Sequence, residues 1–119
     1  MTTNDIPGWW QGTKPEWIVF YGLQSRGMVH NQDFMYSPYS EDGIAFRFMN
    51  PRDLAINITG LMQEYESGKG SVSKDIVTKQ QMLGLGIRLV FIEDVDLDQD
   101  ANYYINEALE YRDHSHMGD

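Results

Sequence analysis

The sequence predicts a mixed α/β fold of the α+β type, a four-stranded mixed sheet flanked by helices. The first observation is the order of periodic segments, which is helix, three strands, helix, strand and helix. The second is a nearly continuous apolar run, Ile87 to Ile92, which is typical of a strand buried on both faces. Short connections predict an antiparallel meander of three strands, and a crossover helix then places the fourth strand parallel to a neighbour.

The first helix is predicted from a capping box, Thr13 to Glu16. Pro15 is compatible with a first turn, because first-turn amides have no helical partner. The apolar spacing continues to Arg26, and Gly27 marks the end of the helix. Residues 1–12 are predicted to be an N-terminal arm.

The next three elements are predicted to be strands. Asp33 to Tyr36 is a short first strand, and Ile44 to Met49 alternates between two faces. Asn50 to Asp53 carries a turn signal with proline at its favoured second place. Leu54 to Ile58 then predicts a third strand.

The rest of the chain predicts two more helices around the last strand. Ser73 caps a second helix, Lys74 to Leu85. After the buried strand, Asp94 to Asp100 is predicted to be an acidic loop, and Asp100 caps a last helix, Ala101 to Tyr111. We therefore expect a single domain over residues 13–111, followed by a polar tail, 112–119.

The composition of the chain argues against several classes of function and site. The 119 residues suit one domain, and the formal net charge of -9 argues against nucleic-acid binding, since phosphate contacts normally need a basic face. The chain has no cysteine, which excludes disulfides and thiolate metal sites. No apolar run is long enough to cross a bilayer and no signal peptide is visible, so we expect no membrane contact.

Five stretches carry a family resemblance, and they are GTKPEWIVFYGL, DFMYSPYS, LAINITG, KQQMLGLGIRLVFIEDVD and YYINEALEYRDHS. Together with the αβββαβ order, they resemble the restriction-endonuclease-like PD-(D/E)XK superfamily. Over most of residues 12–115, the chain is similar to small phage-encoded relatives of its very-short-patch-repair endonuclease branch. The resemblance implies a nuclease-like core.

The resemblance also implies where catalytic groups belong. Active members place an aspartate on the second strand and an acid-x-Lys pair on the third, where two carboxylates hold Mg²⁺. The matching positions here are Arg47, Asn57 and Thr59, and none supplies the expected group. The aromatic-His pair of the repair branch is also absent, because the local sequence is Gln63-Glu64-Tyr65. These positions predict a degenerate nuclease site with no catalytic residue, bound metal or cofactor.

We therefore expect a non-catalytic phage virion protein with a structural or adaptor role near the neck, tail or baseplate. It is expected to act through protein–protein contacts with other virion proteins, and as a homo-oligomer in one version of this hypothesis. Trp9 and Trp10 are the candidate contact residues, because an aromatic pair is seldom left in solvent. The expected location is the virion, and the host cytoplasm during assembly.

Two other functions remain open. One is a Mg²⁺-dependent DNA endonuclease with relocated ligands, using Asp53, Glu64 and Lys79. The other is a small acidic inhibitor that binds a host DNA-binding or defence protein by mimicking the charge of DNA.

Two further metal sites are weaker alternatives. The acids at 96, 98, 100 and 107 have the spacing of a calcium loop, but its sixth place needs glycine and holds Ala101. A capped helix is the competing interpretation of this segment. His114 and His116 alternate in the tail, where an inert pair is more common than a metal site.

Overall fold

The computed structural model describes residues 6–37, 44–49, 51–60 and 80–112. The elements in these ranges are listed here in chain order: α1 (Lys14–Ser25), β1 (Phe34–Tyr36), β2 (Phe46–Phe48), β3 (Leu54–Thr59), β4 (Arg88–Glu93) and α2 (Asp94–Leu109). Residues 80–84 are also helical, and the rest of the predicted second helix lies outside the described residues.

The four strands form one sheet in the order β1-β2-β3-β4. β1 and β2 are antiparallel, as are β2 and β3, whereas β3 and β4 are parallel. The predicted four-stranded mixed sheet flanked by helices is confirmed. β2 is shorter than the predicted strand, although the Ala45 carbonyl still accepts a hydrogen bond from the Ser37 amide.

The two faces of the sheet bury different clusters. Leu54, Ile56 and Ile58 of β3 belong to the larger cluster, which includes the apolar face of α1. Ala55 of β3 lies in a smaller cluster that includes Phe91 of β4. Because side chains alternate along a strand, the even-numbered residues of β3 face α1 and the odd-numbered residues face away from it.

Helices α1 and α2 pack closely. The capping box at the start of α1 is confirmed, because Glu16 accepts from the Thr13 amide and the Thr13 hydroxyl accepts from the Glu16 amide. A Cβ at Gly22 would lie 2.5 Å from Ile105 Cδ1 of α2, so the glycine permits this approach. Arg26 at the end of α1 donates to the Asn106 side chain at 2.9 Å, and partial burial lowers the pKa of its guanidinium.

The acidic segment after β4 is helical, so the prediction of a loop for residues 94–100 is wrong. The physical reason is that Leu97 packs into the core, only 3% exposed, while the acids of the first turn favour a helix N-terminus. The helix kinks at Asp100, whose backbone is non-helical (φ -156°, ψ 79°). The Asp100 carboxylate accepts from the Tyr103 amide at 3.1 Å, which confirms the predicted cap.

None of the helices in the described ranges has the length and apolar character that a membrane crossing requires.

Candidate functional site

Polar side chains end both strands of the parallel pair. In its register, Asn57 lies beside Phe91 and Thr59 beside Glu93. Ala55 and Phe91 face the smaller apolar cluster. Because side chains alternate, Asn57, Thr59 and Glu93 project from this same face of the sheet. The carboxyl end of the pair therefore carries an amide, a hydroxyl and a carboxylate as neighbours.

A second carboxylate lies at the same end of the sheet. Asp94 is the first residue of α2 and is 8% exposed. A Cβ at Gly60, the residue after β3, would overlap the Asp94 carboxyl group. Gly60 also has φ +121°, a conformation that side chains other than glycine rarely adopt. The glycine thus lets the backbone after β3 lie directly against the Asp94 carboxylate.

Asp94 lies where a helix begins and where the site is enclosed. As the first residue of α2, it lies at the positive end of the helix dipole. Asn57 and Thr59 are both buried, so the carboxyl end is a largely enclosed polar site instead of a solvated surface. Enclosure strengthens the interaction of a carboxylate with a cation, because water screens it less.

Asn57, Thr59, Gly60, Glu93 and Asp94 are called the carboxyl-end cluster below. Their side chains offer two carboxylates, an amide oxygen and a hydroxyl oxygen. Mg²⁺ prefers oxygen ligands, and commonly takes one or two carboxylates while water and substrate phosphates complete its octahedron. Within the described ranges, no three His, Cys, Asp or Glu side chains converge on one point. The Glu93 side chain shares a face with Asn57 and Thr59, and the Asp94 carboxyl group lies against Gly60, so this end of the sheet holds oxygen groups of the kinds that Mg²⁺ takes.

Of the predicted relocated ligands, Asp53 is the one that lies in the described residues, and it is not at this end of the sheet. Asp53 is exposed and precedes β3, with φ +51°. Six residues of extended strand separate it from Thr59, a distance of about 20 Å. Glu64 and Lys79 lie outside the described residues. The structure thus gives no support to Asp53 as a partner of the carboxyl-end cluster.

Three positions, Arg47, Asn57 and Thr59, match catalytic positions of the resembled family, and they lie in two places in the structure. Arg47 is exposed on β2 and pairs with Ala55, near the start of β3. Asn57 and Thr59 lie together at its end. Whether these three are degenerate catalytic positions stays a prediction.

The alternative metal sites are not assembled in the described part of the chain. Asp96 and Asp98 lie on the first helical segment of α2, which is not the loop that calcium ligation requires. Glu107 accepts from Arg112 Nε at 2.8 Å and from the Tyr103 hydroxyl at 3.3 Å. His114 and His116 lie outside the described residues.

Glu93 and Asp94 are the site residues that sequence reasoning missed. The available signal was an acid pair directly after the buried apolar strand, at a point where a parallel strand ends. Ligands of open α/β sheets bind beyond the carboxyl ends of the strands. The sequence prediction places Asp94 in an acidic loop and assigns Glu93 to no element.

Comparisons with known proteins give one informative likeness. No protein-family model matches the chain, and no curated protein matches it. Among solved structures, the fold is similar to the catalytic domain of the homing endonuclease I-Bth0305I, with a TM-score of 0.61 and 24% sequence identity. The match covers 85% of this chain and 94% of that domain. The two chains share a nuclease-like fold.

The prediction of a non-catalytic virion protein is wrong. The likeness is to a catalytic domain, and no comparison connects the chain with a virion. The error was to take the absence of the expected groups at Arg47, Asn57 and Thr59 as evidence against any catalytic function. Glu93 pairs with Thr59, and the Asp94 carboxyl group lies against Gly60, the next residue. The predicted virion partners and location, and the contact roles of Trp9 and Trp10, stay predictions.

Proposed function

We propose that the chain is a divalent-metal-dependent DNA endonuclease whose metal ligands have moved from the usual strand positions. The observation that carries the proposal is that two acids, Glu93 and Asp94, lie at the carboxyl end of the β3–β4 pair. It occurs in a fold similar to a homing endonuclease catalytic domain. Fold alone does not establish activity, so the proposal rests on the donor set of the cluster.

In this proposal, Glu93 and Asp94 hold the cation. A bound Mg²⁺ supplies Lewis acidity toward a phosphate oxygen and lowers the pKa of a water ligand. The Asn57 amide and the Thr59 hydroxyl, which share the Glu93 face, are placed to orient a phosphate oxygen or the attacking water. Thr59 can donate or accept through its hydroxyl, whereas the Asn57 amide offers both a donor and an acceptor group.

The net negative charge of the chain is compatible with this function, because part of that charge is concentrated in one segment of the structure. Four aspartates, at 94, 96, 98 and 100, lie within seven residues at the start of α2. A divalent cation held by Glu93 and Asp94 would offset the repulsion between this surface and a phosphate backbone. The proposal therefore departs from the expectation that the chain binds no nucleic acid.

We also propose the closer relationship to the PD-(D/E)XK superfamily and its very-short-patch-repair branch. Its support is the order of the elements, with β3 and β4 parallel after an antiparallel meander. The sequence stretches that resemble the branch add to this support.

Cleavage of supercoiled plasmid DNA by the purified chain tests the function. We expect nicked and linear products with Mg²⁺ or Mn²⁺ and none with excess chelator. Glu93→Gln and Asp94→Asn should each lower the rate by about a hundredfold or more, since a metal ligand contributes several kcal/mol to the barrier.

Asp98→Asn is the matched control, because it removes the same charge from an exposed position of the same helix. Circular dichroism checks that each variant is folded. Absence of metal-dependent cleavage by the unaltered chain, or equal rates for Glu93→Gln and Asp98→Asn, would contradict the proposal.

A further inference from the structure

A pocket of about 400 Å³ lies between the segment before α1, the helix itself and β1. Its walls include four aromatic side chains, Trp9, Trp10, Phe20 and Tyr36, and the imidazole of His30. Small-molecule sites in proteins commonly have volumes of roughly 300–1,000 Å³ and a mainly aromatic or apolar lining. The pocket does not include any residue of the carboxyl-end cluster.

The inner wall of the pocket is fixed by contacts within the protein. Trp10 stacks on Tyr36, with ring centroids 4.7 Å apart and planes inclined by 17°. The Trp10 indole N–H donates to the Thr13 carbonyl at 2.9 Å, and the Tyr36 hydroxyl donates to Glu16 at 2.7 Å. A Cβ at Gly12 would overlap the Tyr36 hydroxyl, so this residue has to be glycine for the wall to close. The wall is therefore formed before any ligand arrives.

The outer wall is an exposed indole. Trp9 is 66% exposed, although T-shaped contacts with Trp10 and Trp17 hold its ring, with centroids 6.1 Å and 5.9 Å apart. A large aromatic ring that is positioned by neighbours and still faces solvent gains free energy when a flat ligand covers it.

The polar groups of the pocket match the edge of a nucleobase. Gln11 and Gln24 line it, and each side-chain amide provides donors and an acceptor. In the described part of the chain, none of the residues that line the pocket is an acid, although the whole chain carries a formal charge of -9. A ligand with an attached phosphate thus meets less repulsion here than at the carboxyl-end cluster.

We propose that this pocket binds an unstacked nucleobase of single-stranded or locally opened DNA. Unpaired bases are held by stacking on aromatic side chains and by hydrogen bonds to their edges, which are the two kinds of group the pocket offers. The inference rests on the proposed function, because it assumes an enzyme that cleaves DNA and adds that this enzyme binds an unpaired base.

The pocket and the carboxyl-end cluster lie at different places on the sheet. Tyr36 pairs with Phe46, which in turn pairs with Ile56, so Tyr36 is level with the third residue of β3. Two strand spacings separate β1 from β3, about 10 Å. The pocket is on the α1 face of the sheet, whereas the side chains of Asn57, Thr59 and Glu93 are on the other face. A base in the pocket would therefore belong to a different nucleotide from the one that is cleaved.

Binding of a short single-stranded oligonucleotide tests the inference. The oligonucleotide carries one fluorescent adenine analogue, whose emission changes on stacking, and chelator is present so that no cleavage occurs. We expect saturable quenching by the unaltered chain. Trp9→Ala should weaken binding by about 5- to 100-fold, because stacking on one aromatic ring contributes about 1–3 kcal/mol per base. Trp9→Phe should retain most of the affinity.

Tyr103→Ala is the matched control, since it removes a half-exposed aromatic ring from α2 and should leave the affinity unchanged. The inference is wrong if the analogue is not quenched, or if Trp9→Ala binds as tightly as the unaltered chain. Metal-dependent cleavage of plasmid with no Trp9-dependent binding would overturn the base-binding role of the pocket and leave the proposed function standing. Trp9-dependent binding without cleavage would support the pocket and overturn the proposed function.

Discussion

The two ends of the β3–β4 pair differ in charge. At the carboxyl end, Glu93 pairs with Thr59, and Asp94 lies against Gly60. The described residues at the amino end include three arginines, Arg47, Arg52 and Arg88, and one acid, Asp53. The ends are only about 16 Å apart, five residues of strand. If the proposed function is correct, a nucleic acid that lies along the pair meets a metal site at one end and arginines at the other.

The difference between the two ends makes the proposed action on DNA compatible with an acidic chain. Net charge describes the whole molecule, whereas phosphate contacts depend on the local arrangement of charges. Arg88 is exposed at the start of β4 and is paired in register with Leu54, so its side chain is available at the amino end. Arg52 is partly engaged, because its guanidinium donates to the Leu109 carbonyl at 3.3 Å.

Gly60→Ala should have the largest effect on stability and cleavage. It disrupts the carboxyl-end cluster and leaves the amino end unchanged. The added methyl group overlaps the Asp94 carboxyl group, and the positive φ is strained for alanine. We expect the free energy of unfolding to fall by about 1–3 kcal/mol and cleavage to fall by a factor of about a hundred. Denaturant unfolding and the plasmid assay measure the two quantities.

Gly27→Ala is the control for Gly60→Ala. Gly27 also has positive φ (+83°), but a Cβ there meets nothing within 4 Å. Its alanine variant should lose stability and keep its cleavage rate at temperatures where it is folded. If both variants lose cleavage equally, strain and not the Asp94 contact is responsible.

Arg88→Gln should give an intermediate effect, confined to the amino end. Loss of one phosphate contact lowers the slope of log affinity against log salt by about 0.9. We expect weaker DNA binding at moderate salt, with the cleavage rate at saturating DNA unchanged. A salt series of binding isotherms measures the slope.

Arg112→Gln is the control for the amino end, since Arg112 already pairs with Glu107 and Glu110. Their carboxylates also raise the pKa of its guanidinium. The salt slope should not change in this variant. A slope that is unaffected by Arg88→Gln as well would remove the amino end from the DNA contact surface.

Asp100→Ala should give the smallest effect and leave both ends intact. It removes the hydrogen bond from the Tyr103 amide at the kink of α2, which costs about 1 kcal/mol of stability for a helix cap. Mn²⁺ affinity should stay within about twofold, because Asp100 is exposed and six residues from Asp94. A large loss of Mn²⁺ affinity, measured by calorimetric titration, would place the acidic helix segment inside the metal site.

The elements of the fold followed from local pattern. The capping box of α1, the cap at Asp100 and the two-sided burial of β4 are encoded within a few residues of each element. Among the described elements, the one that the local pattern did not predict is the helix over residues 94–99. This segment contains four charged or amide side chains and too few apolar ones to indicate a helix. Burial of Leu97 against the core stabilises that helix, and such a contact is invisible to sequence periodicity.

The sequence by itself determined which secondary structures form and which charges and aromatic rings are available. Only the tertiary structure decided which of them meet. The parallel pairing of β3 with β4 joins Thr59 to Glu93 across a separation of 34 residues, and Gly60 meets Asp94 by the same pairing. The physical reason is that periodicity reports the environment of each residue, whereas register and crossover direction are settled by packing the whole sheet against its helices.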